Sequence, residues 1–582
     1  MKGRGVVMKE RLEAFLNEYK NTVRRYAHEL RSKPMPEITE ELFSLFEKTG
    51  NRIKYEAVYF LRRKYIAVFG LVALMDKREE DIRRLEEVIE NICNEECWAL
   101  PAHVNRSRDK DWQTTVDLFA CETAQTLAEI ITLLDKELST KIKDLARNEV
   151  FRRVLNPFYN SKVGHYWWEV CDNNWCAVCS GAIGSASIYL LADKPEQLNL
   201  YLQRICNSLN HYIAGFPEDG TCMEGLGYFT YGMTYYTGFA QQLYDYTKGK
   251  MDLMAAAKTM KIATFQQKCY FKSGRTLSFS DGDSKDRFRV GLTCYLATRY
   301  PEVAIPNMNQ SAGFDFDPCY RWMSIYRDYI WTSKYIDNLN QGKIKDGGNF
   351  EPQGQVILSD AQWTICHSTR GAGMAAKGGC NGEPHNHNDI GSFFYIHDGD
   401  MLLTDLGAGE YTKEYFGQGR YQILCNSSLG HNLPLINGKT QLAGKEYQCD
   451  RFEADGKGKT IISFAGAYEE GIIDKIERVL HFNEDNGVLI VEDNFSASDK
   501  TRRITENLVT QWKPEIIGNQ ILIRGKERGC KIILFDKNSS ISCIHQIHKD
   551  HGGEETDVYL LQWDLLIQDK EAYARMEIIP ID

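Results

Sequence analysis

The feature that most constrains this chain is a change in the spacing of its apolar residues. From about residue 8 to residue 335, apolar residues recur every three or four positions, as in Leu12, Phe15 and Leu16, which indicates amphipathic helices. A glycine-rich stretch from Gly342 to Gly354 follows, and beyond it apolar and polar residues alternate, which is typical of strands. The pattern therefore predicts a helical region followed by a region of strands.

These two regions predict two domains, because single hydrophobic cores stop growing at about 250 to 300 residues and this chain has 582. Residues 1–340 predict about ten helices in antiparallel pairs, which can close into a ring or stack as a solenoid, and no fixed repeat favours the solenoid. Residues 345–582 predict an antiparallel β-sandwich, with hairpin turns such as Glu484–Gly487. Predicted strands begin at Gln355, Ser392, Met401, Thr460, Val488, Gln520 and Val558.

Composition and charge narrow the classes of function. With 43% hydrophobic and 26% charged residues the chain is an ordinary globular protein rather than a disordered or fibrous one. A net charge of -10 argues against nucleic-acid binding, which requires a basic face. We find no stretch of the length of a membrane span and no signal peptide, and the 17 cysteines are scattered singly. We expect a cytoplasmic enzyme with reduced thiols, or an exported one whose leader has been removed.

The densest polar signal runs from Glu383 to Phe393. His385 and His387 share one face of an extended segment there, because side chains repeat every two residues. Asp405 is expected to end the following strand, and His431 follows in a loop. Two imidazoles and a carboxylate are a common ligand set for Zn²⁺ and suit Mn²⁺ as well. On spacing alone, the alternative is equally weighted: histidines at strand ends that only hydrogen-bond turns.

A second signal is the segment Val170–Cys179, which opens a helix rich in small residues. Asn173 and Asn174 place amide donors at the helix start, where unpaired backbone N–H groups also attract an anion. A ligand carboxylate suits this position. The alternative is that the asparagine is simply a helix cap.

A third signal is the glycine-rich segment from Pro217 to Gly232. Its glycines lie beside Tyr228 and Tyr231, which suggests a close-packed helix start that presents phenol groups to a cavity. The alternative interpretation is a buried aromatic pair.

Taken together, these three segments resemble the heparinase II/III-like polysaccharide lyases. The resemblance is densest over residues 165–235 and 380–440, and the segment Asp117–Ala124 adds to it. Each motif is moderately specific, and their order along one chain is much more so. The resemblance implies an incomplete (α/α) toroid joined to a β-sandwich, with acidic sugars bound in a cleft between the two domains.

The resemblance also implies roles for individual residues. Asn174 would neutralise the carboxylate of a uronic acid, Tyr228 would be the catalytic tyrosine and His385 the catalytic histidine. Some members of the family carry a histidine at or beside the asparagine. This chain differs from them, since Trp175 follows Asn174. Tyr228 is therefore expected to serve as both base and acid, and Tyr231 is the neighbouring phenol with which it could be confused.

The resemblance further implies one divalent metal ion, Zn²⁺ or Mn²⁺, with a mainly structural role. The implied ligands are His387, Asp405 and His431. They would stiffen the loop that carries His385.

The function predicted in this way is a polysaccharide lyase that cleaves uronic-acid-containing glycans by β-elimination. Glycosaminoglycans of the heparan sulfate, hyaluronan or chondroitin type are favoured, and no nucleic-acid or membrane partner is expected. One alternative is an alginate lyase. Another is a glycoside hydrolase of uronide oligosaccharides, which would need two carboxylic side chains, for which Glu169, Asp219 and Glu224 are candidates. A third is a carbohydrate-binding protein without catalysis.

Overall fold

The structure is a computed structural model, and it describes residues 4–161, 165–345, 352–535 and 540–582. Residues 346–351 lie outside the described residues, and they belong to the glycine-rich stretch where the change of pattern is predicted.

The chain divides into two compact units. The first, here called the helical unit, comprises Met1–Phe216, Tyr228–Ala263 and Arg287–Asn349. The second, here called the strand unit, comprises Pro217–Gly227, Thr264–Asp286 and Phe350–Asp582. Two segments from the helical half of the sequence are thus grouped with the strands, which the apolar spacing does not indicate.

The α-helices follow the predicted spacing, and α12 alone of those described lies wholly in the strand unit. In chain order they are α1 (Arg4–Leu30), α2 (Glu40–Thr49), α3 (Ile53–Asp76), α4 (Glu79–Cys93), α5 (Leu118–Leu133), α6 (Thr140–Val150), α7 (Asn156–Tyr159), α8 (Asn174–Leu191), α9 (Pro195–Ala214), α10 (Leu226–Tyr246), α11 (Ala257–Ala263), α12 (Phe265–Lys268), α13 (Val290–Arg299) and α14 (Trp322–Asn340).

The helices of the helical unit pack in sequence and then return to the start. Helix α5 packs against α8, α8 against α9, and α13 against α14. Helix α14 also contacts α1, so the series closes on itself as a toroid rather than continuing as a solenoid.

Helix α8 is the most apolar of these elements. By length and composition it could cross a membrane, contrary to the expectation from the sequence, but 89% of it is buried inside the protein. It is therefore a buried helix of the helical unit, packed between α5 and α9. A helix that is hydrophobic on all sides is expected in such a position.

The strand unit contains every strand predicted from the alternating pattern. In chain order the strands are β1 (Gly354–Leu358), β2 (Trp363–His367), β3 (Ala372–Lys377), β4 (Cys380–Asn381), β5 (Phe393–His397), β6 (Asp400–Leu403), β7 (Leu435–Ile436), β8 (Gly444–Gln448), β9 (Arg451–Ala454), β10 (Lys459–Ser463), β11 (Lys475–Phe482), β12 (Leu489–Ser496), β13 (Ile504–Thr510), β14 (Glu515–Ile517), β15 (Gln520–Arg524), β16 (Gly529–Leu534), β17 (Ser542–Lys549), β18 (Glu555–Asp564) and β19 (Glu571–Ile581).

These strands form antiparallel sheets around one core. The largest has the order β14-β15-β16-β19-β12-β11-β10-β9, and the next two have the orders β1-β2-β3-β5-β6 and β17-β18-β13-β7. Met374, Val491 and Trp563 come from these three sheets and belong to the same buried cluster. The predicted fold class, a helical toroid followed by an antiparallel β-sandwich, is confirmed.

A buried ion pair ties the sheet to the loops that carry the predicted site. Arg478 of β11 lies opposite Asp493 of β12 and donates two hydrogen bonds to its carboxylate, at 2.8 and 2.7 Å. The same guanidinium donates to the backbone carbonyls of Gly391 and Asn432, at 2.9 and 2.6 Å. Because these two residues follow the His385 and His431 segments, the pair fixes both segments against the core.

Candidate active site

His385 lies in a turn before β5, in the left-handed backbone region, with φ 55°. Its Nδ1 atom is 2.7 Å from Oδ2 of Asp281, and its Nε2 atom is 3.4 Å from Oε1 of Glu224. The side chain retains 19% exposure, whereas that of Asp281 has none. The imidazole is thus held between two carboxylates and still reaches the protein surface.

Asp281 is the centre of this arrangement. Its carboxylate has five side-chain neighbours within hydrogen-bond or ion-pair distance: His385, His387, Tyr411, Tyr415 and Arg420. Burial raises the pKa of the Asp281 carboxyl, but the hydrogen bonds from the two histidines outweigh burial and hold that pKa well below its usual value. Asp281 is therefore a buried carboxylate anion that orients the groups around it.

The surroundings favour the charged form of His385. Burial lowers the pKa of the imidazole, but the hydrogen bond to Asp281 and the negative charge of Glu224 raise it by more. Arg420 also donates to the backbone carbonyl of Asn386, at 2.9 Å, and so holds the turn in place. The strand unit therefore presents a fixed imidazole whose charged form is favoured, which suits an anionic ligand.

The predicted metal ligands meet beside this turn. Nδ1 of His431 is 3.3 Å from Oδ2 of Asp405, and the ring centroids of His387 and His431 are 5.5 Å apart. Nδ1 of His387 is buried and has no hydrogen-bond partner within the described part of the chain. Asp389 also belongs to the cluster, because its carboxylate and the two imidazoles offer ligand atoms within 4.8 Å of one another.

This donor set fits a divalent ion. Two imidazole nitrogens and one or two carboxylates are typical ligands of Zn²⁺ and acceptable to Mn²⁺. Nζ of Lys377 lies 2.9 Å from Oδ1 of Asp389 and partly neutralises that carboxylate. Asp405 lies against His431 and remains the ligand that the sequence predicts, and Asp389 is a further candidate.

The two asparagines of the helical unit have different positions. Asn173 is the N-cap of α8, and its Oδ1 accepts the N–H of Trp175 at 3.1 Å. Asn174 is the first residue of the helix and is 2% exposed. The cap alternative therefore applies to Asn173, and the side chain of Asn174 is not needed for that role.

The two tyrosines also differ. Tyr231 donates its hydroxyl hydrogen to Glu122, and the guanidinium of Arg321 lies 4.0 Å from the centre of the Tyr231 ring. Burial and the Glu122 carboxylate raise the pKa of Tyr231 well above its usual value. Tyr228, one turn earlier in α10, is half-buried. The alternative of a buried, structurally paired phenol therefore describes Tyr231.

Two of the three carboxylates considered for a hydrolase have structural roles. The carboxylate of Asp219 accepts the backbone N–H groups of Asp360 and Ala361, at 2.8 and 3.1 Å. Glu169 is buried and accepts two hydrogen bonds from Arg204, at 2.8 and 2.7 Å. Of the three, only Glu224 lies against a candidate catalytic side chain.

Several residues of the site were not singled out from the sequence: Asp281, Asp389, Tyr411, Tyr415 and Arg420. Asp281 stands in the turn Ser-Asp-Gly-Asp, whose composition indicates only a turn. Asp389 is close in sequence to His387 and could have been weighed as a ligand on that ground.

Comparisons with known proteins bear on the fold and on the C-terminal domain. Residues 354–562 match the family model described as heparinase II/III-like, C-terminal. A crystal structure of heparinase III matches with a TM-score of 0.62 and 13% identity, covering 98% of this chain and 92% of that one. Heparan sulfate lyase HepC from Pedobacter heparinus matches with a TM-score of 0.57 and 13% identity, covering 98% and 88%. No match is found among curated proteins.

At such low identity the structural matches show the fold. The fold and the matched domain together define the class of protein, which is a helical toroid followed by a β-sandwich that carries a heparinase II/III-like domain. More narrowly, residues 354–562 form a heparinase II/III-like C-terminal domain, and the predicted resemblance is confirmed.

Proposed function

We propose that this chain cleaves a glycosaminoglycan by β-elimination at a uronic acid and leaves a 4,5-unsaturated uronate on the product. The observation that carries the proposal is the imidazole of His385, fixed between Asp281 and Glu224 in a heparinase-like domain. Heparan sulfate is the first polymer to test, because the similar structures include a heparan sulfate lyase.

The chemistry of a uronate explains why such a group is needed. Removal of the C5 proton places further negative charge on a carboxylate that is already anionic. Donors aimed at that carboxylate stabilise the enolate-like intermediate more than the ground state, which is where rate is gained. The imidazolium of His385 and the amide of Asn174 are proposed for this role.

Tyr228 is proposed as the group that moves the proton. Its phenol would accept the C5 proton and then protonate the departing C4 oxygen, so that a single side chain serves as base and acid. Tyr228 is chosen over Tyr231 because the hydroxyl of Tyr231 already donates a hydrogen bond to Glu122.

His387 and His431, with Asp405 or Asp389, are proposed to hold one divalent ion. When bound, the ion would supply positive charge and fixed ligand geometry beside the turn that carries His385, and its role would be mainly structural. His385 itself is oriented by Asp281, so the reacting group need not bind the metal.

The direct test follows the ultraviolet absorbance of the new C4–C5 double bond during incubation with heparan sulfate, hyaluronan, chondroitin and alginate. Elimination produces this absorbance, hydrolysis produces new reducing ends without it, and binding alone produces neither. Absorbance with alginate only would assign the alternative substrate. Reducing ends without absorbance would show that the enzyme is a hydrolase.

A further inference from the structure

The helical unit exposes an aromatic surface that the proposed mechanism does not use. Trp167 is 59% exposed, and its ring centroid lies 4.9 Å from that of Trp175. The ring of Trp175 lies in turn 4.9 Å from that of His103, edge to face. These three side chains are called the Trp–His surface below.

The exposure of Trp167 is fixed by the residues that follow it. The next residue, Trp168, is buried and donates its indole N–H to the carbonyl of Val116 at 3.2 Å. Glu169 is also buried and is paired with Arg204. Because its neighbours are anchored in this way, Trp167 must point outward. Because Trp167 contacts Trp175, the two rings form an exposed apolar patch, and such patches often mark binding sites.

His103 is held in one orientation by a buried carboxylate. Its Nδ1 atom is 2.7 Å from Oδ2 of Asp117, which is 2% exposed. Asp117 also accepts the backbone N–H groups of Ala120 and Leu100, at 2.8 and 3.2 Å. Since a carboxylate can only accept, Nδ1 carries the hydrogen, which leaves the lone pair of Nε2 to accept a hydrogen bond.

The Trp–His surface adjoins one proposed catalytic residue along the chain. Trp175 directly follows Asn174 in the first turn of α8.

The Trp–His surface also approaches the second proposed catalytic residue of the helical unit, Tyr228, through a series of side-chain contacts. The ring of His103 lies 6.2 Å from that of Phe119, and the guanidinium of Arg321 is 5.8 Å from Phe119. Arg321 covers the ring of Tyr231, which is one turn from Tyr228 on α10. A row of contacting side chains therefore runs from the exposed tryptophan to the helix that carries the proposed base.

We propose that Trp167, Trp175 and His103 form a sugar-binding subsite for a pyranose ring of an oligosaccharide substrate. A pyranose has apolar C–H faces and a rim of hydroxyl groups. The indoles offer stacking surfaces to such faces, and Nε2 of His103 offers an acceptor to a hydroxyl. The subsite rests on the proposed function, because it binds a sugar next to the one that is cleaved.

Two variants and one control test the subsite. Trp167→Ala removes the exposed ring, and His103→Gln removes the imidazole acceptor without creating a cavity of its full size. Leu200→Ala is the control, because Leu200 is 69% exposed on α9 of the same unit. Binding of a heparosan hexasaccharide and of a hyaluronan hexasaccharide is measured by calorimetry, in a Tyr228→Phe background to prevent turnover.

We expect Trp167→Ala to weaken the binding of at least one hexasaccharide roughly tenfold and His103→Gln to weaken it several-fold. Leu200→Ala should leave binding unchanged. With Tyr228 restored, the same variants should raise KM and change kcat little. Affinities of Trp167→Ala and His103→Gln equal to that of Leu200→Ala would overturn the subsite.

The failure of the subsite can be told from the failure of the lyase proposal. If no polymer gives ultraviolet absorbance, but a hexasaccharide binds and Trp167→Ala weakens that binding, the subsite holds and the lyase proposal is wrong. If product forms while both variants bind normally, the lyase proposal holds and the subsite is wrong. Failure of the parent protein to bind either hexasaccharide also overturns the subsite.

Discussion

The candidate residues of the two units are held in different ways. In the strand unit, His385 and His387 both bond to one buried carboxylate, that of Asp281. In the helical unit, Asn174 and Tyr228 lie in the first turns of α8 and α10, and each has a close neighbour of the same type with a structural role. Changes in the strand unit should therefore disturb several groups together, whereas the helical unit permits one-residue comparisons.

The largest effect is expected from the pair of tyrosines. Tyr228→Phe removes only a hydroxyl, and turnover should fall by about 10² to 10⁴ because proton transfer is lost, with little change in stability. Tyr231→Phe should retain most activity but lose about 1 to 3 kcal/mol of unfolding free energy, because Glu122 loses a buried hydrogen bond. Initial rates and thermal unfolding of both variants are the measurements. The reverse pattern would identify Tyr231 as the catalytic phenol.

The next effect tests the shared carboxylate of the strand unit. Asp281→Asn leaves His385 and Arg420 without their carboxylate partner and should cost about 3 to 5 kcal/mol of unfolding free energy, with loss of activity. Asp283 is exposed and lies two residues further along the same segment, so Asp283→Asn should change neither the unfolding free energy nor the activity. Chemical denaturation measures both. Equal stability of the two variants would show that Asp281 does not organise the strand unit.

The two asparagines give a smaller effect on rate. Asn174→Ala should lower kcat by about 10² to 10³ with little change in substrate affinity, since its amide is proposed to act on developing charge. Asn173→Ala should instead cost about 1 kcal/mol of unfolding free energy through loss of the cap of α8, with kcat nearly unchanged. Steady-state kinetics and melting curves separate the roles. A large loss of kcat in the Asn173 variant alone would reassign the amide.

The last effect concerns the metal and is expected in stability rather than in rate. Removal of the ion by a chelator should lower the stability of the protein by about 3 kcal/mol relative to metal at a hundred times its Kd. His387→Ala should abolish tight binding of the ion. Of Asp405→Asn and Asp389→Asn, the variant that loses less of the bound ion would identify the carboxylate that is not a ligand. Metal analysis of the purified variants decides this. Less than a small fraction of a mole of metal per mole of unaltered protein would remove the metal from the proposal.

Much of the architecture could be predicted from the sequence because it depends on local spacing. The helical period, the alternation of strands such as β12 and the glycine-rich change between them are properties of neighbouring residues. The motifs containing His387, Asp405 and His431 also lie within one stretch of strands, and the structure brings these three side chains together. Their role as metal ligands stays a prediction.

Other features were decided by tertiary structure alone. Asp281 bonds to His385 across 104 positions of sequence, and α14 closes the toroid against α1. No local pattern records such contacts, because they depend on how whole elements pack.

The same holds for the neighbouring pairs. Asn173 and Asn174 are chemically alike, as are Tyr228 and Tyr231, and the sequence by itself determined only that an amide and a phenol stand at two helix starts. Which asparagine caps α8, and which tyrosine pairs with Glu122, follows from the direction each side chain takes once the helices pack. Residues one or three positions apart differ in environment only after packing fixes which helix face is buried.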